Sequence, residues 1–508
     1  MAKGQSQCCF CVLSILIIFG VGLLISGIVV AVLGSFTELV DKEIREGVPL
    51  KKGSTSFKNW KDPDGDYFIE YYLFNITNTS TGDQKKPLVI QEIGPYTYRK
   101  VAKTNVQERL GQTLTYNSTT HYQYDKSRSC SGCDPMKDIF TTVNYPLLVG
   151  LRGLQAKLAK TSGNASKDLI ERSVGGLGAL KIDIFQSRSV DEFLWGYQDP
   201  AFAQFFKGDP KKRYALQFNN SDSYISKIHT GEHDVDRVAE YLEWKGKPAL
   251  PYWNSKYANM INGTGGTRFK PFVEKDDELY ALVTEICRSL KLTYDSTVTV
   301  HGIDLYRFTP PKDVLESGNV NPENKGFCVT GSSKKCLPSG LLDVQSCKGG
   351  ANIAPPFVAS TPHFYNAEPY LHEMFNLMPK KEKHATFVDI EKNTGVTMQG
   401  HKRLQVSFAV QKSLDIKTIL QNPTSQEFLF IPTFFTDDYA RISEEDADDF
   451  KKSVLLPLRV AKAMPYVMIG LGALLLIIAV IITLVRRRNR RKMNGVTDRN
   501  LGKENYSI

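Results

Sequence analysis

The 508-residue chain has little of what divides a protein into modules or marks an enzyme. It has no linker rich in Pro, Gly or Ser and no internal repeat, which excludes a string of tethered domains. It has no G-x-S-x-G elbow and no G-x-x-x-x-G-K-[ST] loop, which removes α/β-hydrolase chemistry and P-loop nucleotide hydrolysis. Charge is missing altogether from two stretches, Phe10 to Gly34 (25 residues) and Tyr466 to Val485 (20 residues). Each reaches the roughly 20 residues that a helix needs to cross about 30 Å of hydrocarbon. Hydrophobic residues make up 42% of the chain and aromatics 11%, enough for a large packed core, so wholesale disorder is excluded too.

The formal charge is +10, and where it sits decides what it means. Lys3 is the only charge in residues 1–37, and the segment after Val485 carries a net +6, with Arg486, Arg487, Arg488, Arg490, Arg491, Lys492, Arg499 and Lys503 against Asp498 and Glu504. Only +3 remains for everything between the two runs, so the basic excess is a juxtamembrane cluster and not a nucleic-acid surface. Such clusters stay cytosolic, which places residues 486–508 inside as a basic tail. Glu38, Asp41, Glu43 and Glu46 after the first run place residues 1–9 inside as well. A cleaved signal peptide is the alternative for residues 10–34, but the run exceeds the usual ~7–15 residues and lacks a small-x-small site near Ala31. The expected layout is two transmembrane helices, 10–34 and 466–485, flanking an extracytosolic domain, 35–465.

Six sequons agree with that exterior, at Asn75, Asn78, Asn117, Asn164, Asn219 and Asn262; a seventh, at Asn505, falls in the cytosolic tail. Cys8, Cys9 and Cys11 border the cytosolic end of the first run, and Cys8 with Cys9 forms a pattern suited to palmitoylation. The other six cysteines, Cys130, Cys133, Cys287, Cys328, Cys336 and Cys347, lie in the oxidising compartment, where an even number implies three disulfides. Cys130-Ser-Gly-Cys133 has no second CxxC and no thioredoxin-like context, so it reads as a local bridge.

No cofactor or metal is expected. His229-Thr-Gly-Glu232-His233 has the order of an inverted zinc-protease motif, but Gly231 breaks the helix that would put both imidazoles on one face. Asp62-Pro-Asp64-Gly-Asp66 lacks the spacing of a calcium loop and reads as a turn.

Strand-like texture, rich in Tyr, Ile, Val and Thr, occupies Tyr67–Thr77, Pro87–Val101, Thr113–Asp125, Arg213–Phe218, Val298–Thr309 and Phe357–Tyr365. A long hairpin spans Ala385–Lys412 around Asn393-Thr394-Gly395. Helices are expected at Phe36–Glu46, at Asp277–Leu290, and at Leu147, Leu151, Leu154 and Leu158, an apolar stripe opposite Arg152, Lys157 and Lys160. Lys167–Leu180 is a further amphipathic run, and Ser443 with Asp446 resembles a capping box opening an acidic helix toward the second span.

From Asn59-Trp60 onward the sequence resembles the class B scavenger receptors, the family of fatty acid translocase and lysosomal integral membrane protein. The resemblance is carried by Gly94-Pro-Tyr-Thr-Tyr-Arg99, Leu194-Trp-Gly-Tyr197 with Asp199-Pro200, Met260-Ile-Asn-Gly-Thr264 and Ile286-Cys-Arg-Ser289. Gly326-Phe-Cys328, Pro362-His-Phe364, Asp389-Ile-Glu391 with Thr394-Gly395, and Lys402-Arg-Leu-Gln405 continue it in order. The resemblance implies an α+β, mainly β fold: a distorted antiparallel β-barrel, a helical bundle at its apex (about residues 144–186) and an internal hydrophobic tunnel. It implies the pairs Cys287–Cys347 and Cys328–Cys336. A third bridge of some members would need cysteines at Ala258 and Gly326, and both are absent. Arg152, Lys157, Lys160 and Lys167 of the apex become the candidate ligand-binding residues, since ammonium groups around an apolar mouth attract carboxylate or phosphate heads.

The function implied is that of a plasma-membrane scavenger receptor, binding membrane lipids, fatty acids, cholesterol or lipoprotein particles and passing lipid through the tunnel, without catalysis. A protein ligand at the apex and a homo-oligomer are left open. A lysosomal membrane receptor escorting a hydrolase is one alternative, and the tail's lack of an acidic dileucine signal speaks against it. A two-span ligand-gated channel is another, but the second run offers only Thr483 as a polar pore residue. Tyr506-Ser507-Ile508 fits a scaffold domain that grips free carboxyl termini.

Overall fold

In the computed structural model, residues 2–63, 65–79, 88–150, 184–199, 213–217, 219–330, 334–349, 357–411 and 428–504 are described. They fall into two compact units, residues 47–444 and a pair of terminal segments, 1–46 with 445–508.

The terminal unit is helical. Helix α1 (Ala2–Leu33) is followed by α2 (Ser35–Gly47). At the other end the acidic helix Glu444–Phe450 passes through a π-helical turn, Lys451–Leu455, into the helix Leu456–Glu504. Both terminal helices are long and apolar enough to cross a membrane. They pack through glycines: a Cβ on Gly472 would lie 2.7 Å from the Leu24 nitrogen, and one on Gly20 would lie 3.0 Å from Leu476 Cγ. Backbones this close need small residues, because lipid gives helices no hydrophobic reason to associate and van der Waals fit must supply it.

The body is an antiparallel sheet. After α3 (Thr55–Lys61) come β1 (Asp66–Ile76), β2 (Ile90–Leu110), β3 (Thr113–Tyr124), β4 (Ile139–Val143), β5 (Phe185–Ser189), β6 (Tyr197–Gln198), β7 (Arg213–Tyr214) and β8 (Ser221–Asp222). Next are β9 (Ser226–His229), β10 (Tyr241–Trp244), β11 (Leu279–Val283), β12 (Arg288–Val300) and β13 (Ile303–Thr309). The last are β14 (Leu342–Asp343), β15 (Phe357–Ser360), β16 (Phe387–Ile390), β17 (Thr397–Gln411) and β18 (Phe428–Arg441). Eleven of them run in the order β10-β9-β3-β2-β1-β18-β17-β16-β13-β12-β11. The strand that follows the first span and the strand that precedes the second are therefore neighbours, with Asp66 opposite Arg441.

What closes this sheet is one short segment. The Tyr241 N–H donates to the Gly263 carbonyl at 2.9 Å, Thr264 N–H donates to the Tyr280 carbonyl at 3.1 Å, and Leu282 N–H donates to the Thr264 carbonyl at 2.9 Å. Gly263-Thr264 thus stitches edge strand β10 to edge strand β11. Gly263 has φ +75°, and any Cβ there would collide with the Tyr280 carbonyl.

The expected barrel with terminal helices is what is found, and most expected strands are present. Four readings need correction. Asp277–Leu290 is not a helix but the β11–β12 hairpin, with Leu279 opposite Leu292 and Val283 opposite Arg288; its turn ends at Cys287, whose φ of +49° no right-handed helix accepts. Val298–Thr309 is broken by His301-Gly302, both at positive φ, the signature of a tight hairpin turn. Phe357–Tyr365 stays extended only to Ser360, because Pro362 starts a 3₁₀ turn in which His363 and Phe364 are left-handed. In Arg213–Phe218 only Arg213–Tyr214 pairs as strand among the described residues. Conversely β18, the central strand, is missing from the sequence expectations. Its continuous apolar run holds Pro432, which normally argues against a central strand, yet Pro432 sits beside the register shift where Ser407 faces it and Thr433 is left over as a bulge. The helix expected from Leu147 is present over residues 145–150, and its continuation lies outside the described residues.

Two substitutions test these constraints. Gly263→Ala should cost about 3 kcal/mol, from left-handed strain plus a backbone clash, whereas Gly266→Ala, at φ +87° with open space around it, should cost about 1 kcal/mol. Thermal unfolding of the purified chain in detergent measures the difference. Gly472→Leu should abolish the oxidative cross-link expected between cysteines placed at Gly20 and Leu476, read as a mobility shift in non-reducing electrophoresis.

Candidate functional site: the barrel interior

Cross-strand partners share a face of a sheet. Ile69 lies opposite both Tyr98 and Asp438, Asp438 opposite Lys402, and Lys100 opposite Tyr122. Ile69, Tyr71, Leu73, Tyr98, Lys100, Tyr122, Lys402, Leu404 and Asp438 therefore occupy one face. It is the concave face, because its side chains reach partners across intervening strands. Tyr116 of β3 meets Tyr241 of β10 hydroxyl to hydroxyl at 3.3 Å over β9. Lys100 of β2 reaches Asp438 of β18 over β1.

At one level this interior is aromatic. The short helix Val190–Trp195 is fixed by a capping box in which Glu192 N–H donates to Ser189 Oγ and Ser189 N–H donates to the Glu192 carboxylate. It delivers Trp195 against Tyr98 and Tyr122, with ring centroids 5.0 and 5.3 Å away, and the indole N–H donates to Tyr98 Oη at 3.3 Å. Burial pushes the Tyr98 phenol up to about 12, partly offset by that indole. Gln217 accepts from Tyr71 and donates to Tyr122, so these hydroxyls are satisfied inside an apolar shell.

Beyond the aromatics the interior carries four charges in a chain. Lys100 Nζ donates to both Asp438 oxygens at 2.7 and 2.8 Å. Lys402 Nζ lies 3.1 Å from Asp438 and 2.7 Å from Glu285, which stands in the β11–β12 turn. Burial by itself would raise both carboxyls and lower the lysine. The mutual pairing wins: Asp438 is held well below the usual carboxylate range by Lys100 and Lys402, Glu285 is lowered by Lys402, and Lys402 is raised by Glu285 and Asp438. Depressed carboxyls give up their contribution only as pH falls through the acid range, so the chain of charges persists at neutral and mildly acidic pH alike.

A separate cavity of about 230 Å³ has none of these four charges in its lining. It opens where β17 leaves β16, after His401, and takes β15 as partner from Gln405. Its apolar wall includes Ile286, Leu290, Val314, Leu315, Leu342 and Leu404, and Lys312, Lys381 and Arg403 border it. Ile286 adjoins Glu285 in sequence, and Leu404 is the next residue after Lys402 on the concave face. Trp60 of α3 caps another part of the interior, edge-on to Tyr116 at 5.0 Å. The start of the body is tied down near it by Arg268, which donates to the Val48 carbonyl at 2.8 Å.

The structure joins Cys130 to Cys133, Cys287 to Cys347 and Cys328 to Cys336. A Cβ on Gly326 would lie 2.9 Å from Ala258 Cβ, so the two positions that lack a third bridge are adjacent in space. Asn75, Asn78, Asn117 and Asn262 are partly exposed and Asn219 is exposed. Cys8 and Cys9 lie within α1. Arg152, Lys157, Lys160, Lys167, Asn164 and the terminal Tyr506-Ser507-Ile508 lie outside the described residues. His229 ends β9, while Glu232 pairs with Arg109 after the turn at Gly231, and no metal-holding cluster occurs among the described residues. The interior charges were not singled out by sequence reasoning. The signal available was Asp437-Asp438 in an otherwise apolar strand, and Lys402 at the head of a motif.

Comparison with known proteins agrees with this architecture. The CD36 family profile matches residues 18–483. The chain is 32% identical to lysosome membrane protein 2 of Mus musculus, over 92% of this chain and 93% of that one. It is 32% identical to scavenger receptor class B member 1 of Cricetulus griseus, over 91% and 88%, and 30% identical to human lysosome membrane protein 2, over 92% and 93%. A closed antiparallel barrel between two apolar terminal helices, matched over nearly its whole length, makes this chain a member of the CD36 family, whose receptors are not enzymes.

Proposed function

We propose that the protein is a cell-surface receptor with both termini in the cytosol, which captures lipids or lipid-bearing anionic particles and passes lipid through the barrel interior to the membrane. The observation that carries this reading is a barrel whose concave face holds aromatic rings and a chain of charges, with an apolar cavity in the gap where β17 leaves β16, in a chain anchored by a span at each end. Transfer would be downhill, driven by apolar burial along a passage shielded from water. In this reading residues 35–465 face outward, Asn75, Asn78, Asn117, Asn164, Asn219 and Asn262 carry glycans, and acylated Cys8 and Cys9 add to the anchor. Arg152, Lys157, Lys160 and Lys167 gather anionic particles at the apex.

A lysosomal location is the second reading, supported by a 32% identity to a lysosome membrane protein that equals the identity to a scavenger receptor class B member 1. Imaging the full chain with a free carboxyl terminus separates the two, and the surface is the expected outcome.

The functional test is uptake of a fluorescent lipid from anionic particles by cells expressing the full chain. Wild type should exceed untransfected cells, and the Lys157→Glu/Lys160→Glu variant should lose about threefold of capture at matched surface expression through lost electrostatic attraction. Unchanged capture would remove those two lysines from the site, and no uptake by wild type would remove the lipid-receptor reading.

A further inference from the structure

The helix that carries the second span does not end with it. It runs unbroken from Leu456 to Glu504, so the cations that follow Val485 stand on a stiff helix and not on a loose tail. Leu484, Arg487, Arg488, Arg491 and Lys492 line an open hollow of about 440 Å³. Arg487 with Arg491, and Arg488 with Lys492, are each four residues apart, so they form two adjacent rows on one face of the helix. Among the described residues none of these four cations has an ion-pair partner. Like charges at this spacing weaken a helix. The helix end, whose partial negative charge would favour them, lies about three turns further on at Glu504. A preference for basic residues on one side of a membrane does not account for the crowding either. Arg486 and Arg490 lie roughly 130–170° round the helix from the middle of the hollow, at about 100° per residue.

We propose that this hollow docks the headgroup of an inositol phospholipid bearing two phosphomonoesters, in the leaflet that residues 486–508 face. The proposal is independent of lipid capture by the body and rests on the reading that those residues are cytosolic, where the leaflet carries anionic and inositol lipids. Charge selects the headgroup first. Two phosphomonoesters and a phosphodiester carry about −4 to −5 at neutral pH, which matches four converging cations. A serine headgroup brings a single net negative charge, and several would have to be gathered to do the same. Donor geometry selects it next, because three of the four are arginines, whose planar forks give a phosphate two parallel hydrogen bonds. Depth agrees: at about 1.5 Å per residue the four lie roughly 3–10 Å beyond Val485, at the level of the headgroups and just past it. Leu484, 57% exposed, gives the hollow an apolar rim on the side of the span. That rim suits a headgroup still joined to its glycerol and not a free inositol phosphate. The anion placed between the two rows removes the like-charge repulsion that the bare helix carries.

The test uses the purified full chain in detergent with two short-chain probes bearing the same dye on the tail, a phosphatidylinositol bisphosphate and a phosphatidylserine. Binding is read by fluorescence anisotropy at physiological salt. Wild type should hold the bisphosphate at least about tenfold more tightly than the serine lipid. Arg487→Gln/Arg491→Gln should weaken bisphosphate binding about tenfold. Arg486→Gln/Arg490→Gln removes the same two charges from the other side of the helix and should cost no more than about twofold. Glutamine is nearly as good a helix former as arginine, so neither variant threatens the helix. The proposal is overturned if the two double variants lose equally, which a diffuse basic tail would give. It is also overturned if wild type binds both probes alike, or does not bind the bisphosphate at all, as a site for an acidic protein would behave. Staining of a carboxyl-terminal tag in intact and permeabilised cells reports the topology separately. A tag seen only after permeabilisation supports the cytosolic leaflet, and a tag seen on intact cells overturns that placement whatever the purified chain binds.

Discussion

An open antiparallel sheet has two rows of unpaired N–H and C=O groups, and in this protein the rows belong to β10 and β11. The backbone of Gly263-Thr264 meets both. Everything inside the barrel depends on that seam, because a concave face becomes an enclosed one only when the edges are joined. Sequence that looks like a glycosylation signal, Asn262-Gly-Thr264, is thus also the clasp of the fold. The hydroxyl of Thr264 is committed there, accepting from Gly266 N–H at 3.1 Å, and the residue is almost wholly buried.

Enclosure creates a second constraint. Charges inside a barrel cannot be left single, since removing an ion from water costs several kcal/mol unless partners replace the water. Lys100, Asp438, Lys402 and Glu285 meet this condition by sharing, each inner member touching two others. The arrangement contrasts with the convex side, where Arg403 and Asp437 pair at 2.8 Å beneath His401 and are sealed by the Glu382 and Ala385 carbonyls. Adjacent residues in the same two strands, 402 and 403, 437 and 438, therefore face opposite sides. The Arg403–Asp437 pair is the more deeply buried of the two.

How much of this was legible in the sequence follows from the range of the interactions concerned. The spans were readable because absence of charge over 20 residues is a local property. Strands with alternating Tyr, Thr and Ile declared themselves for the same reason. The β11–β12 hairpin did not, because Leu279, Leu282, Ile286 and Leu290 fall at helical spacing, and only the left-handed turn at Cys287 and pairing with β13 decide otherwise. β18 was hidden by Pro432, whose tolerance depends on a bulge in a register that no single strand encodes. The interior charges were the least readable part. Lys100, Glu285, Lys402 and Asp438 are up to 338 residues apart, and nothing local distinguishes them from solvated surface charge.

The pairing of β1 with β18, Asp66 opposite Arg441, has a mechanical meaning for a body held at both ends by a membrane. In the proposed role, a particle pulling on the body would load these two neighbouring strands from the same end and in the same direction, so they would not be pried from each other. The load passes outward into β2 and β17 as shear along the strands. Sheet hydrogen bonds lie perpendicular to the strands, so shear strains the whole ladder at once, and the long β17–β18 register, from Gln399–Arg441 to Gln411–Phe428, shares it. Tension on the proposed receptor would thus meet the sheet in its stiffest direction, tugging the barrel without unzipping it.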